Sequence, residues 1–254
     1  MLVHASLFSG IGGFDLAADW MGWDNLFHCE WNPFGQRVLK HHFPKSISYN
    51  DITKTDFSIH KGSVDVLTGG FPCQPYSTAG KRLGKSDERH LFPHMLRCIK
   101  EVKPRWVIGE NVRGLVNWNG GLVFNEVYDD LEREGYEVQS FLIPAAGVNA
   151  PHQRYRIWLV AYSNASRIYK QHYSTKSNES SKFSRISFEK RDFSRFPSEP
   201  TILGRNDGIP KELDFISFSK WRNESIKAYG NAIVPQVAYQ IFKAIEEFEL
   251  MVNK

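Results

Sequence analysis

Short apolar runs alternate with amphipathic stretches over residues 1–161, which is the pattern of strands joined by crossover helices in a mostly parallel sheet. Strands are predicted at His4–Ser9, Asn25–Glu30, Val64–Gly69 and Arg105–Glu110, with a closing pair near Tyr136–Ile143 and Arg156–Ala161. Helical spacing is found at Gly13–Trp23, Pro33–Phe43, His90–Val102 and Leu122–Glu134. The pattern therefore predicts an α/β domain.

The periodicity weakens between Ser163 and Pro200. This stretch holds ten serines, eight lysines or arginines and only four acidic residues, so its excess of positive charge equals the net charge of +4 of the whole chain. Composition alone fits either a solvated linker or a nucleic-acid-binding lobe. The range Tyr229–Leu250 ends in residues with helical spacing, which predicts a helix there that packs back onto the first domain.

Size and composition set broad limits on the class of protein. A chain of 254 residues, 41% of them hydrophobic, can form one large domain or a domain with a small inserted lobe. The cysteines Cys29, Cys73 and Cys98 are too widely spaced for a disulfide scaffold or a Cys-x-x-Cys metal clip, which favours a reducing cytosol. The chain does not open with a basic stretch followed by a long apolar core, and no later segment approaches ~20 uninterrupted apolar residues. We therefore expect an unexported protein without a membrane span.

The first predicted strand leads into a glycine-rich turn, where a ligand can approach the backbone; it reads Phe8-Ser9-Gly10-Ile11-Gly12-Gly13. The spacing differs from the G-x-G-x-x-G of dinucleotide folds, which argues against a nicotinamide oxidoreductase and favours a cofactor without a pyrophosphate. Glu30 ends the second strand, where an acidic side chain commonly accepts hydrogen bonds from ribose hydroxyls, and Trp31 could stack on adenine. An ordinary strand-to-helix turn and a solvated surface acid are the alternatives.

A thiol and a carboxyl follow two further predicted strands. Cys73 lies on a loop after Val64–Gly69, at the carboxyl edge of the sheet where open α/β folds bind ligands. Glu110 reaches the same edge from the next strand. A lone cysteine is more often buried and inert, but a cysteine that converges with an acid suits nucleophilic attack assisted by that acid.

Five motifs, in this order, resemble those of the C5-cytosine DNA methyltransferase family: Phe8-Ser9-Gly10-Ile11-Gly12-Gly13, Pro72-Cys73-Gln74, Glu110-Asn111-Val112, Arg154-Tyr155-Arg156 and Gly230-Asn231-Ala232. The resemblance implies a Rossmann-like S-adenosylmethionine-dependent methyltransferase fold with a mostly parallel sheet. It assigns residues 1–162 and 226–254 to the catalytic and cofactor-binding domain. Residues 163–225 would form a small target-recognition region.

The resemblance also implies a role for each motif residue. Cys73 would attack C6 of a cytosine flipped out of duplex DNA, Glu110 would bind its N3 edge, Arg156 would hold O2, and Arg154 would position Cys73 or the neighbouring backbone. S-adenosylmethionine would contact Phe8, Ser9, Gly10, Gly12, Gly13, Glu30, Trp31, Asp51, Ile52 and Asn231. No metal is expected. Gln153 departs from the usual position of glutamine in the arginine motif and is left unassigned.

The resemblance implies double-stranded DNA as the partner, which a monomer would methylate at a specific short sequence. The enzyme would be bacterial or phage-encoded and would act in the cytoplasm. A cognate restriction endonuclease would be a second partner. A branch of the same family methylates tRNA cytosine, and the sequence leaves that alternative open. A non-catalytic DNA-binding module would leave the convergence of Cys73 and Glu110 unexplained. A zinc deaminase would need a second cysteine where the chain has Tyr76.

Overall fold

The computed structural model describes residues 1–72, 91–163 and 218–252. The strands in these ranges are β1 (Val3–Leu7), β2 (Asp24–Cys29), β3 (Ile47–Tyr49), β4 (Val66–Gly69), β5 (Trp106–Val112), β6 (Tyr136–Pro144) and β7 (Tyr155–Ser163). They form a seven-stranded sheet in the order β3-β2-β1-β4-β5-β7-β6. Strands β1 to β5 pair in parallel, and β7 is antiparallel to both β5 and β6. The predicted α/β fold with a mostly parallel sheet is confirmed.

The helices in the described ranges are α1 (Gly13–Trp20), α2 (Pro33–His42), α3 (Phe92–Val102), α4 (Leu122–Arg133), α5 (Phe218–Asn231) and α6 (Pro235–Val252). Helix α2 shows why such boundaries are readable from sequence, because the Asn32 side chain accepts a hydrogen bond from Phe34 N and Pro33 occupies the first turn. Helix α5 was not predicted, and it continues across the proposed domain boundary between residues 225 and 226.

The core lies on both faces of the sheet, as the alternation of side chains along β5 shows. Trp106 and Ile108 belong to a cluster with α1 and α6, whereas Val107 belongs to the cluster that includes α3 and α4. Successive side chains of a strand point to opposite faces, so a strand buried on both sides has a continuous apolar run rather than an alternating one. In the described residues no helix is long and apolar enough to cross a bilayer.

The topology brings chemically important positions to one edge. Parallel strands β1, β2, β4 and β5 all end there, and the antiparallel pairing of Val112 with Arg156 brings the start of β7 to the same edge. Ligands of open α/β sheets bind outside the carboxyl ends of the strands. This edge is therefore the place to look for a site.

A buried polar network lies beneath the glycine-rich turn. Asp15, in the first turn of α1, is fully buried, and Ser6 Oγ lies 2.9 and 3.0 Å from its two carboxyl oxygens. Ser6 Oγ also lies 2.7 Å from Ser9 Oγ, which is within hydrogen-bond distance of the Cys29 backbone. Burial raises the pKa of Asp15 to about 7, partly offset by the hydrogen bond from Ser6. The network joins α1 to the ends of β1 and β2.

We predict that Asp15→Asn changes how the free energy of unfolding depends on pH. The native state holds the Asp15 proton at pH values where the unfolded chain has lost it, so ionisation destabilises the fold as pH rises from about 4 to about 7. The variant should gain stability relative to the native sequence across that interval, by up to about 1.4 kcal/mol per unit of pKa shift. Denaturant unfolding at several pH values measures this difference.

The matched control is Asp19→Asn, which removes an exposed carboxyl from the same helix. Its effect on stability should be small at every pH. Titration of buried His4 is common to all three proteins and cancels in the comparison. A difference between Asp15→Asn and the native sequence that stays constant from pH 4 to 7 would contradict the assignment.

Candidate active site

The turn after β1 brings backbone rather than side chains to the edge of the sheet. Phe8, Gly10 and Gly12 all have positive φ angles, of 52°, 58° and 84°. A Cβ added at Gly10 would meet nothing within 4 Å, so the turn is open on that side, whereas a Cβ at Gly35 would lie 2.5 Å from Gly10 O. The first turn of α2 therefore packs directly on the back of the loop and leaves its front accessible.

Glu30, which follows β2, holds this turn in place. Its two carboxyl oxygens each accept a backbone hydrogen bond of 2.7 Å, one from Gly10 N and the other from Asn32 N. Burial raises the pKa of Glu30, and these backbone hydrogen bonds lower it in part. Each carboxyl oxygen keeps further acceptor capacity for a ligand hydroxyl. Beside it, Trp31 is 72% exposed, as a stacking surface requires.

The two residues expected at the adenine rim have different surroundings. The Asp51 carboxyl accepts hydrogen bonds from Thr53 N and Thr53 Oγ1, which lower its pKa, whereas the Ile52 side chain is 6% exposed and packs in the core. Arg97 of α3 donates to Ile52 O at 2.5 Å and to Thr55 O at 2.9 Å. Arg97 thus ties the backbone of this segment to α3.

The carboxyl of Glu110 is buried at the end of β5 and paired with an arginine. Glu110 Oε1 lies 3.0 Å from Arg156 Nε, on the neighbouring strand β7, and the two side chains are only 10% and 23% exposed. Burial raises the pKa of Glu110, and the positive charges of Arg156 and Arg154 lower it in part. The remaining effect is upward, so the protonated carboxyl is easier to form than at a surface glutamate. This group can therefore donate a proton or hydrogen bond to a ligand.

The base of the cysteine loop is fixed beside Glu110. Asn111 Nδ2 donates to Phe71 O at 3.0 Å, and a Cβ added at Gly70 would lie 3.5 Å from Glu110 Oε2. Cys73 itself lies outside the described residues. Its chain is thus anchored two residues earlier, against the element that carries the buried carboxyl.

Arg154 and Asn231 meet through backbone. Arg154 Nη1 donates to Gly230 O at 3.0 Å and Arg154 Nη2 to Ala232 O at 2.6 Å, so the guanidinium binds the carbonyl groups of the two residues on either side of Asn231. A Cβ added at Gly13 would lie 2.6 Å from Cγ1 of Ile233, which places this segment against the glycine-rich turn. The structure thus brings together the first and last motifs of the chain.

Three residues that shape this site were not singled out from the sequence. A glycine within the first turn of a helix is unfavourable unless something needs the space, so Gly35 carried a readable signal. Arg97 and Ile233 carried none, because their partners are backbone atoms about 40 and 220 positions away in the chain. In the described residues no group of three or more His, Cys, Asp or Glu could hold a metal ion.

Comparison with known proteins places this fold among the S-adenosylmethionine-dependent methyltransferases. The chain superposes on a DNA modification methyltransferase of an E. coli prophage with a TM-score of 0.56 and 25% identity, over 66% of this chain and 48% of the other. It matches the S. pombe Dnmt2 methyltransferase over 98% of this chain and 99% of the other, with a TM-score of 0.64 and 17% identity, a likeness of fold alone. M.PspPI, a Type II methyltransferase of Psychrobacter sp. (strain TA137), is 36% identical over 157 residues, or 61% of this chain and 38% of that protein.

Residues 2–201 match the family model of the C-5 cytosine-specific DNA methylases, so the chain belongs to that family. It spans only 38% to 53% of the length of the curated relatives compared with it. The cofactor that membership implies is S-adenosylmethionine. The open backbone at Gly10 fits the methionine moiety of this cofactor, and the carboxyl of Glu30 fits its ribose hydroxyls. The exposed Trp31 fits its adenine.

We predict that the contact between Gly13 and Ile233 shows up as coupling in a double-mutant cycle. Gly13→Ala should lower the free energy of unfolding by about 1–3 kcal/mol, because the added methyl group overlaps Ile233. In the presence of Ile233→Ala the same change should cost less, with a coupling on the order of 1 kcal/mol. Denaturant unfolding of the four proteins measures it.

Gly114→Ala is the control, because its methyl group would meet nothing nearer than 4.0 Å. Its effect should add to that of Ile233→Ala. If Gly13→Ala were equally additive, the close approach of the two motifs would not exist in solution.

Proposed function

We propose that this chain transfers a methyl group from S-adenosylmethionine to C5 of a cytosine flipped out of duplex DNA, at a specific short sequence. The observation that carries the proposal is the buried Glu110–Arg156 pair beside the base of the Cys73 loop, at the sheet edge that also holds the glycine-rich turn. Type II methyltransferases from several bacteria share the matched region, which supports DNA as the substrate.

Base extrusion comes first, since the C6 edge of a stacked cytosine is out of reach, and it costs a few kcal/mol. In the pocket Glu110 would bind the N3 edge and Arg156 would both hold O2 and keep Glu110 in place. Because Glu110 is buried and its pKa is raised, it can enter the reaction as the proton donor. A surface carboxyl would be ionised and would repel the negative charge that develops on the ring.

The Cys73 thiolate would then add to C6 while N3 takes the proton of Glu110. When bound to the glycine-rich turn and Glu30, S-adenosylmethionine would supply the electrophilic methyl group for the electron-rich C5, and its sulfur would keep the electron pair of the methyl–sulfur bond. Loss of the C5 proton to a base and release of the thiolate restore the aromatic ring, and N3 returns its proton to Glu110. An ordinary thiol has a pKa of about 8.5, so only a small fraction of it is thiolate at neutral pH unless its pKa is lowered.

The roles at the cofactor follow the geometry of each residue. Glu30 would accept hydrogen bonds from the ribose while it holds Gly10, Trp31 would stack on adenine, and Asp51 would lie at the adenine rim. The positive φ of Phe8 and the glycines of the turn would leave room for the methionine moiety. Ser9 and Asp15 would support the turn from below.

We predict that Cys73→Ser reduces methyl transfer to background while S-adenosylhomocysteine binding is retained, because a hydroxyl is a far weaker nucleophile than a thiolate. Tritium transfer from labelled cofactor to DNA and calorimetry measure the two properties. Cys98→Ala, which removes a buried thiol of α3, is the control and should keep turnover. Normal turnover by Cys73→Ser would rule out the covalent mechanism.

A substrate that carries 5-fluorocytosine at the target should become covalently attached to Cys73 in the presence of cofactor, since fluorine cannot leave as a proton does. Mass spectrometry of the digested complex identifies the attached residue. Duplex DNA and tRNA are compared in parallel, because one branch of the family methylates RNA. We expect the DNA to be trapped. Trapping of tRNA alone would reassign the substrate and keep the mechanism.

We also propose that residues 163–225 read the target sequence, that the protein acts as a monomer in a bacterial cytoplasm, and that a restriction endonuclease shares its target. Most of this region, residues 164–217, lies outside the described residues. Its excess of basic residues supports phosphate contacts. Such contacts give affinity and register, while side chains that reach base edges, or deformation of the DNA, give specificity.

Neutralising Lys182, Arg185, Lys190 and Arg191 should weaken binding to all DNA and reduce its salt dependence by up to ~0.9 per lost phosphate contact. The methylated sequence should stay the same, as bisulfite sequencing would show. Neutralising Lys100 of α3 and Arg133 of α4, which pair with Glu134 and Asp130, is the control and should leave the salt slope unchanged. An altered target sequence in the fourfold variant would instead make these residues base readers.

A further inference from the structure

Arg154 departs in its contacts from the role that its motif implies. Its two terminal nitrogens donate to Gly230 O and Ala232 O, at 3.0 and 2.6 Å. Helix α5 ends at Asn231, between these two carbonyls. The last carbonyls of a helix have no partner within the helix, and a cation near them is favourable. Arg154 therefore acts as a cap for α5, supplied by the residue that precedes β7.

The geometry around Arg154 is specific. Its φ of 34° is in the left-handed region, which a residue with a side chain rarely adopts. The preceding residue is tied down, because Ala145 N donates to Gln153 O at 2.8 Å. A rare backbone conformation persists only where the surrounding structure requires it. Here it directs the guanidinium at the α5–α6 joint, which consists of residues 232–234 between the two helices. Arg156, two residues further along the chain, pairs instead with Glu110.

The joint that Arg154 holds lies against one side of the glycine-rich turn. Ile233 lies against Gly13, and Trp221 of α5 packs with Phe34 and Val38 of α2 in a cluster that Ile11 of the glycine-rich turn also joins. The turn is thus held between α2 and the α5–α6 joint. A shift of the joint would move Asn231 and release the turn on one side.

We propose that Arg154 is a positioning residue for cofactor binding, which acts through the carbonyls of residues 230 and 232, and that it does not touch the reacting base. Arg156 alone of the two arginines would then serve the cytosine. This inference rests on the proposed function, because it assigns the cofactor to the glycine-rich turn. It separates two neighbouring arginines of one motif into different roles.

The test compares Arg154→Ala with Arg156→Ala in the full chain. Arg154→Ala should raise the KM for S-adenosylmethionine and the Kd for S-adenosylhomocysteine about tenfold, with kcat at saturating cofactor within about threefold of the native value. Arg156→Ala should show the reverse, a fall in kcat with little change in Kd. Arg154→Lys should recover part of the affinity, since an ammonium can still donate to one of the two carbonyls. Arg133→Ala, which removes an exposed arginine of α4, should change neither quantity.

A loss of kcat on the order of 100-fold in Arg154→Ala, with an unchanged Kd for S-adenosylhomocysteine, would overturn the proposal and assign Arg154 to the base. If Arg154→Ala does not fold, Arg154→Lys and Ile233→Ala decide: raised Kd in both supports the proposal, and unchanged Kd in both overturns it. Kd is measured without nucleic acid, so the Arg154 variants can be compared even if the protein methylates no cytosine. A native chain that binds S-adenosylhomocysteine but methylates no cytosine would refute the proposed function alone.

Discussion

The close approach of neighbouring elements to the backbone of the glycine-rich turn is the constraint on which the rest of the site depends. Gly10 O lies against the Cα of Gly35, Ile233 lies against Gly13, and the Glu30 carboxyl binds Gly10 N. A side chain at Gly35 or Gly13 would push α2 or the α5–α6 joint away from the turn. Because the turn is held from behind and from the side, its front stays open for a ligand without any rearrangement.

Buried charge is the second organising feature, and it is concentrated where β5 and β7 pair. Burial raises the pKa of Glu110, whereas the positive charges of Arg156, in direct contact, and of Arg154, nearby, lower it in part. Arg154 in turn has a lowered pKa through burial and the neighbouring arginine. Unpaired, any one of these charges would be costly to bury. One acidic and two basic groups this close together at a sheet edge are more typical of a functional site than of a core.

The two features meet through the order of the strands. Strand β1 carries the turn, and β5 and β7 carry the charged residues, with only β4 between β1 and β5. Phe71, just beyond β4, is held by Asn111, so the Cys73 loop starts between the two halves of the site. A methyl donor on one side and a base on the other would therefore both be within reach of a loop that begins there.

Apolar runs and helical spacing in the sequence were sufficient for four of the five parallel strands, the antiparallel pair and the first four helices, because burial on a sheet or helix face imposes its own period. The three-residue β3 was missed because it is too short to show a period, and α5 was missed because its polar sequence has no clear apolar face. The positions of Cys73, Glu110 and Glu30 at the ends of predicted strands made them site candidates, and the order of the motifs supported Cys73 and Glu110. Only the tertiary structure could separate Arg154 from Arg156, or show that Ile52 is buried and that Arg97 and Ile233 matter. Those assignments depend on contacts with backbone atoms, and a carbonyl or amide carries no mark in the sequence of the side chain that will bind it.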